Sequence, residues 1–136
     1  MRRRFLITVL AAMTLGAWAC WHWTGSSVHM PPGSVVSISI SLLRQPLATI
    51  TNTDGLTSIM SMLRSGRPAQ QHDCVAKGTM EIRFNDGQAR SVAFSPGHEL
   101  AQYEFGMDGH LFVVSRSLFL ESLKAAGVDV QRIPTE

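Results

Sequence analysis

Alternation of apolar and polar side chains constrains the fold of this chain more than any other feature. From Ser34 onward, apolar residues occupy every second position and serines lie between them: Val36, Ile38, Ile40 and Leu42, with Ser37, Ser39 and Ser41. Successive side chains of a β-strand point to opposite faces of the sheet, so this spacing predicts a strand with one buried face. Such a strand needs a second layer of structure to cover its apolar side.

Four further strands are predicted in the second half of the chain. Their apolar positions are Met80, Ile82 and Phe84, then Val92 and Phe94, then Tyr103, Phe105 and Met107, and finally Leu111 to Val114. The segments between them carry residues typical of tight turns: Asn85-Asp86-Gly87, the region from Ser95 to Glu99, and Asp108-Gly109. Short turns between consecutive strands predict a four-stranded antiparallel meander.

Two helices are predicted from apolar residues spaced three and four positions apart, which places them on one helical face. The inward positions are Leu56, Ile59, Met60 and Leu63 in the first helix, and Leu118, Phe119, Leu123 and Ala126 in the second. Thr53 or Asp54 is predicted to cap the start of the first helix, and Gly66 to end it in a left-handed conformation. Ser115 or Ser117 is predicted to cap the start of the second helix, and Gly127 to end it.

These elements predict a small α+β domain of two layers, in the order β-α-β-β-β-β-α, with helices on one face of an antiparallel sheet. Residues 47–50 either continue the first strand or form its partner. The domain occupies residues 34–127, after an N-terminal segment at 1–23 and a linker at 24–33 that is rich in Gly, Ser and Pro. Residues 128–136 are predicted to be a loosely held tail.

The N-terminal segment predicts an export signal or a membrane anchor. Three arginines at positions 2–4 precede Phe5 to Trp23, which has no formal charge and would be ~28 Å long as a helix. The positive-inside rule keeps the arginines cytoplasmic, and the tryptophans suit the opposite membrane interface. Residues 5–23 are therefore expected to attach the protein to a membrane in a single pass, with the C-terminal domain extracytoplasmic.

Three other readings of this segment stay open. A signal peptidase could cleave after Ala19, which would leave a secreted or periplasmic protein. Lipoprotein processing before Cys20 fits less well, because bulky Trp18 stands where that signal wants a small residue. The run from Arg2 to Leu6 also resembles the core of a twin-arginine signal, although the region before it is very short.

Charge argues against a nucleic-acid partner. The chain has 12 Lys and Arg residues and 10 Asp and Glu residues, but three of the arginines lie at positions 2–4. The rest of the chain therefore carries nine basic groups against ten acidic ones, with no Lys/Arg cluster. Affinity for a phosphate backbone depends on such clusters, so nucleic acid is not an expected partner.

A Cys/His group provides the candidate site. His72 and Cys74 are two positions apart, so their side chains point to the same side of an extended segment. His98 and His110 come from later turns, and together the four could bind zinc or copper. The plainer alternative is that His72 is a solvated loop residue, Cys74 is buried and inert, and His98 closes its turn by a hydrogen bond.

Other uses of these residues are less favoured. Cys74 could act as a nucleophile with His98 or His110 as its base, but Lys77 alone is available nearby to lower the thiol pKa. Glu99 and Glu104, which flank Tyr103, could line a groove with His98, although solvated outward positions explain them equally well.

The sequence favours a non-enzymatic cell-envelope module that binds another protein or a small ligand, and it carries no nucleotide-binding loop, CxxC or HExxH motif. The alternative is an extracytoplasmic metal-binding domain. With Cys20 in the N-terminal segment, Cys74 has no partner for a disulfide within the folded domain, and either cysteine could bridge two chains.

Overall fold

The computed structural model describes residues 34–73, 75–99 and 101–135. The predicted membrane or signal segment, the linker and Cys74 lie outside these residues. The strands are β1 (Val35–Leu42), β2 (Gln45–Ile50), β3 (Arg67–Pro68), β4 (Gly78–Phe84), β5 (Ala89–Pro96), β6 (Gln102–Met107) and β7 (His110–Ser115). The helices are α1 (Thr53–Arg64), α2 (Arg116–Ala125) and a short 3-10 helix, Val130–Arg132. Among the described helices, none combines the length and apolar character needed to cross a membrane.

The strands form one antiparallel sheet in the order β2-β1-β4-β5-β6-β7-β3. Strands β4 to β7 are the predicted meander, which confirms the α+β class. Residues 47–50 belong to a partner strand of β1, because Leu43 and Arg44 turn the chain with positive φ angles of 47° and 69°. At the other edge, β3 adds a two-residue strand beside β7 that the sequence did not predict.

The core lies between one face of the sheet and the two helices. The ring of Phe119 in α2 packs within 5.4 Å of the ring centroids of three strand residues, Phe94, Tyr103 and Phe105. Register places Phe105 between Phe94 and Phe112, so these side chains share the helix-covered face. We call this the helix face of the sheet, and the opposite side the open face.

The start and end of α1 differ from the prediction. Asn52 is the N-cap, since its Oδ1 atom accepts a hydrogen bond from the Gly55 backbone nitrogen at 2.7 Å. The helix ends at Ser65 in a right-handed conformation. Gly66 is therefore not a left-handed cap; it is required because a Cβ atom there would collide with the ring of Phe112.

The second helix follows the prediction more closely. Ser115 caps α2, and Gly127 follows it in a left-handed conformation with φ of 80°. Phe119 and Leu123 are buried as predicted, but Leu118 is 36% exposed and does not join the core.

The C-terminal residues are held against the domain, so the prediction of a loose tail is wrong. Val128 and Ile133 are 5% and 3% exposed and belong to the core. The Tyr103 hydroxyl donates a hydrogen bond to the Pro134 carbonyl. Buried apolar side chains after α2 give this segment its own packing energy.

Candidate metal-binding site

Glu104 is a buried carboxylate on the open face of the sheet. Its neighbours in β6, Tyr103 and Phe105, point to the helix face, so alternation directs Glu104 to the other side. Its cross-strand partners are Ser95 on β5 and Val113 on β7. Glu104 is only 6% exposed. Something must therefore cover the open face at this position.

Two loops cover it. His72 comes from the loop between β3 and β4, and His98 from the turn between β5 and β6. The first loop is fixed across the sheet edge, since the Ala69 backbone nitrogen donates to the Leu111 carbonyl at 3.0 Å. The Gln71 side chain donates to the Gly109 carbonyl at 2.9 Å. These bonds tie the loop that carries His72 to β7 and to the turn between β6 and β7.

The three side chains converge on a small volume. One ligand atom from each of His72, His98 and Glu104 lies within 4.8 Å of the other two. The two imidazole rings meet edge to face, with centroids 4.6 Å apart and planes at 61°. Both histidines are exposed while the glutamate is buried, so the group opens to solvent on one side. A solvated ion could reach it.

The two carboxylate oxygens of Glu104 have different surroundings. Oε1 accepts a hydrogen bond from the His98 backbone nitrogen at 3.3 Å. Oε2 lies 3.2 Å from Nε2 of His72, yet within the described residues it has no hydrogen-bond partner. The distance allows an ion pair, but the imidazole and Oε2 do not form an aligned hydrogen bond, and hydrogen bonds weaken steeply when misaligned. A buried carboxylate oxygen that accepts no hydrogen bond is costly.

A shared cation would resolve that cost. Two imidazole nitrogens and one carboxylate oxygen form a common protein ligand set for zinc, with bonds of roughly 2.0 to 2.2 Å. Tetrahedral geometry at such bond lengths separates neighbouring ligand atoms by about 3.3 to 3.5 Å. The 3.2 Å between His72 Nε2 and Glu104 Oε2 is close to that separation. All three ligand atoms lie within 4.8 Å of one another, so small movements of the two loop histidines would close the set around a divalent metal.

The structure brings together two of the four predicted metal ligands. His72 and His98 meet, whereas His110 lies at the start of β7 and lines a neighbouring depression. Cys74 is outside the described residues, so its role as a ligand stays a prediction. Sequence reasoning placed Glu104 near His98 but assigned it no metal. Alternation in β6 could have indicated its direction, since Glu104 lies between Tyr103 and Phe105 and therefore faces the opposite side of the sheet.

The neighbouring depression has a volume of about 280 Å³ and shares His72 with the site. Ala93 and Gly106 lie side by side in β5 and β6 and line it from the open face. Gln71 and His110 line it as well. The candidate metal ligands thus border a recess in the surface.

No protein-family model, curated protein or solved structure matches the chain. The geometry of the site is therefore the basis for proposing a function.

Proposed function

We propose that this protein is an extracytoplasmic zinc-binding domain whose metal is held by His72, His98 and Glu104. The observation that carries the proposal is the buried Oε2 atom of Glu104, which lacks a hydrogen bond within the described residues while an imidazole nitrogen lies 3.2 Å away. A cation between these two atoms would balance the carboxylate charge and would be bound by both the oxygen and the imidazole nitrogen. This geometry favours the metal-binding hypothesis over a binding module without a metal.

Zinc is the metal that this ligand set suits best. The three ligand atoms are nitrogen, nitrogen and oxygen, which match borderline and hard divalent ions. Monovalent copper prefers the sulfur of cysteine or methionine. Copper(II) also binds imidazole, and identifying the bound metal by mass spectrometry distinguishes it from zinc. If Cys74 adds a thiolate, the preference for zinc is unchanged.

The cellular location is part of the same proposal. Residues 5–23 attach the domain to a membrane in a single pass, and the arginines at positions 2–4 keep the N-terminus cytoplasmic. Cleavage near Ala19 would instead release the domain outside the cytoplasm. In either case the metal site faces an extracytoplasmic compartment, where it could serve in a contact with an envelope protein.

The proposal is tested by the metal content of the full chain. We would purify it from an exporting host without chelators or a histidine tag, and measure bound metals by mass spectrometry. The expected result is near-stoichiometric zinc, lost in His72→Ala and retained in the matched variant His110→Ala. A folded wild-type protein that contains no metal and takes up no added zinc would overturn the proposal. Cys74→Ser, measured in parallel, shows whether the thiolate contributes.

A further inference from the structure

We infer that the depression beside His72 binds a small carboxylate-containing molecule, and that the carboxylate occupies a coordination position of the metal. This inference rests on the proposed zinc site. The described residues supply three ligands, and zinc takes at least four. Zinc sites with three protein ligands hold water or a substrate in the remaining position. The depression is the space from which such a molecule would approach.

The depression has the size and position for a small molecule. Its volume of about 280 Å³ is slightly below the range for pockets that hold drug-sized ligands, about 300–1,000 Å³, so it suits a smaller molecule. His72 belongs both to its lining and to the metal ligands. Glu104 and Gly106 are two positions apart in β6, so both face the open side. A molecule resting on Gly106 therefore lies beside the metal ligands.

Small side chains create the recess. A Cβ atom added to Gly106 would meet no atom within 4 Å, so the glycine leaves open space above the strand. Its partner across the strands is Ala93, and Ser91 is the next lining residue along β5. A larger residue at position 106 would project into the volume that a ligand needs.

Charge favours an anion. A divalent metal bound by two neutral imidazoles and one carboxylate retains a net charge of about +1. Asp108 lies at the edge of the depression, but its Oδ2 atom pairs with Arg90 at 3.2 Å. This pairing offsets the negative charge that would otherwise repel a carboxylate.

The recess is formed before any ligand arrives. The hydrogen bond from Gln71 to the Gly109 carbonyl ties the loop that carries His72 to the turn between β6 and β7. The hydrogen bond from the Ala69 backbone nitrogen to the Leu111 carbonyl fixes the start of the same loop, directly after β3. A preformed site loses less conformational entropy on binding.

Cobalt substitution tests this inference with the full chain. Co²⁺ replaces zinc in nitrogen and oxygen sites and absorbs visible light, so its spectrum reports changes in coordination. We would load the chelator-treated protein with Co²⁺ and titrate it with benzoate. The expected result is a saturable spectral change, with benzoate affinity reduced about tenfold or more in Gly106→Val. The control Ser37→Val places a valine on β1 instead, and this variant should bind benzoate as tightly as the wild type does.

The outcomes separate the two proposals. If Co²⁺ itself does not bind, the metal site is absent and the inference fails with it. If Co²⁺ binds but benzoate leaves the spectrum unchanged, or if Gly106→Val binds benzoate as tightly as Ser37→Val does, the depression is not the ligand site. Co²⁺ affinity measured for each variant shows whether Gly106→Val acts on the ligand or on the metal.

Discussion

The Nε2 atom of His72 lies 3.2 Å from the Oε2 atom of Glu104, although a loop carries the first residue and a central strand the second. Glu104 is buried, and His72 is partly open to solvent, with a side-chain exposure of 31%. The pair therefore joins a fixed carboxylate to an accessible imidazole. Together with His98, the pair supplies the three ligands of the proposed zinc site, which is open to solvent on one side.

Glu104→Gln is expected to weaken zinc binding by about 100-fold or more, because the amide lacks the charge of the carboxylate ligand. A competition titration against a chromogenic chelator measures the effect. The matched control is Glu81→Gln, since Glu81 is a partly exposed residue that pairs with Arg83 at 2.7 Å. Equal zinc affinity in the two variants would remove Glu104 from the site.

Zinc is expected to stabilise the folded domain. A ligand that binds only the native state at 100 times its Kd adds about 2.7 kcal/mol to the free energy of unfolding. Thermal unfolding with and without zinc measures this gain, and a chelator should reverse it. His98→Ala should unfold at the same temperature with or without zinc. A gain of equal size in that variant would place the metal elsewhere.

Gly66→Ala is expected to destabilise the domain by about 1 to 3 kcal/mol, because the added methyl group collides with the Phe112 ring. Urea unfolding followed by circular dichroism measures the loss. Gly106→Ala is the matched control, since its Cβ atom enters open space and its φ is not positive. Its stability should stay within about 0.5 kcal/mol of the wild type. A similar loss in both variants would contradict the packing argument.

Tyr103→Phe is expected to cost about 1 kcal/mol at neutral pH, because it removes the hydrogen bond to the Pro134 carbonyl. Urea unfolding measures this loss. Phe119→Leu, which changes the same aromatic cluster but keeps the hydroxyl, controls for packing. An unchanged midpoint for Tyr103→Phe would show that the hydrogen bond does not hold the C-terminal residues.

Tyr103 is also expected to make the free energy of unfolding depend on pH. Burial raises the pKa of the Tyr103 phenol above its usual value of 10.0, and Arg116 offsets part of the rise. The folded state then keeps its proton at a pH where the unfolded chain loses it. Stability from this group is complete below about pH 10 and falls as the pH rises toward the folded pKa. Tyr103 is the only tyrosine, so absorbance at the tyrosinate band measures its pKa directly. A value at or below 10 would contradict the prediction.

Local patterns predicted most of the fold. The meander could be predicted because alternation marks each strand and because the turn residues are types that tolerate the backbone angles of tight turns. Asp108 and Gly109, for example, have positive φ angles of 50° and 78°. Strand β3 could not be predicted, since Arg67–Pro68 is too short to show alternating polarity. It forms a strand only because it pairs with β7. Gly66 was assigned the wrong role because its contact with Phe112 is between elements distant in sequence.

The site was predicted only in part for the same reason. His72 and His98 were recognised by residue type, but their meeting depends on two loops folding over one strand. Glu104 has the sequence pattern of a solvated outward residue, because its burial comes from the loops that carry His72 and His98 and not from its own strand. Alternation shows which face a side chain takes, but it cannot show what covers that face.

X-ray absorption at the zinc edge of the zinc-loaded full chain reports directly which atoms bind the metal. We expect a first shell that includes two imidazole nitrogens and a carboxylate oxygen at about 2.0 to 2.2 Å. The imidazole signal should fall by half in His72→Ala and in His98→Ala if either still binds zinc. A first shell of oxygen alone, or an imidazole signal unaffected by both substitutions, would contradict the proposed site.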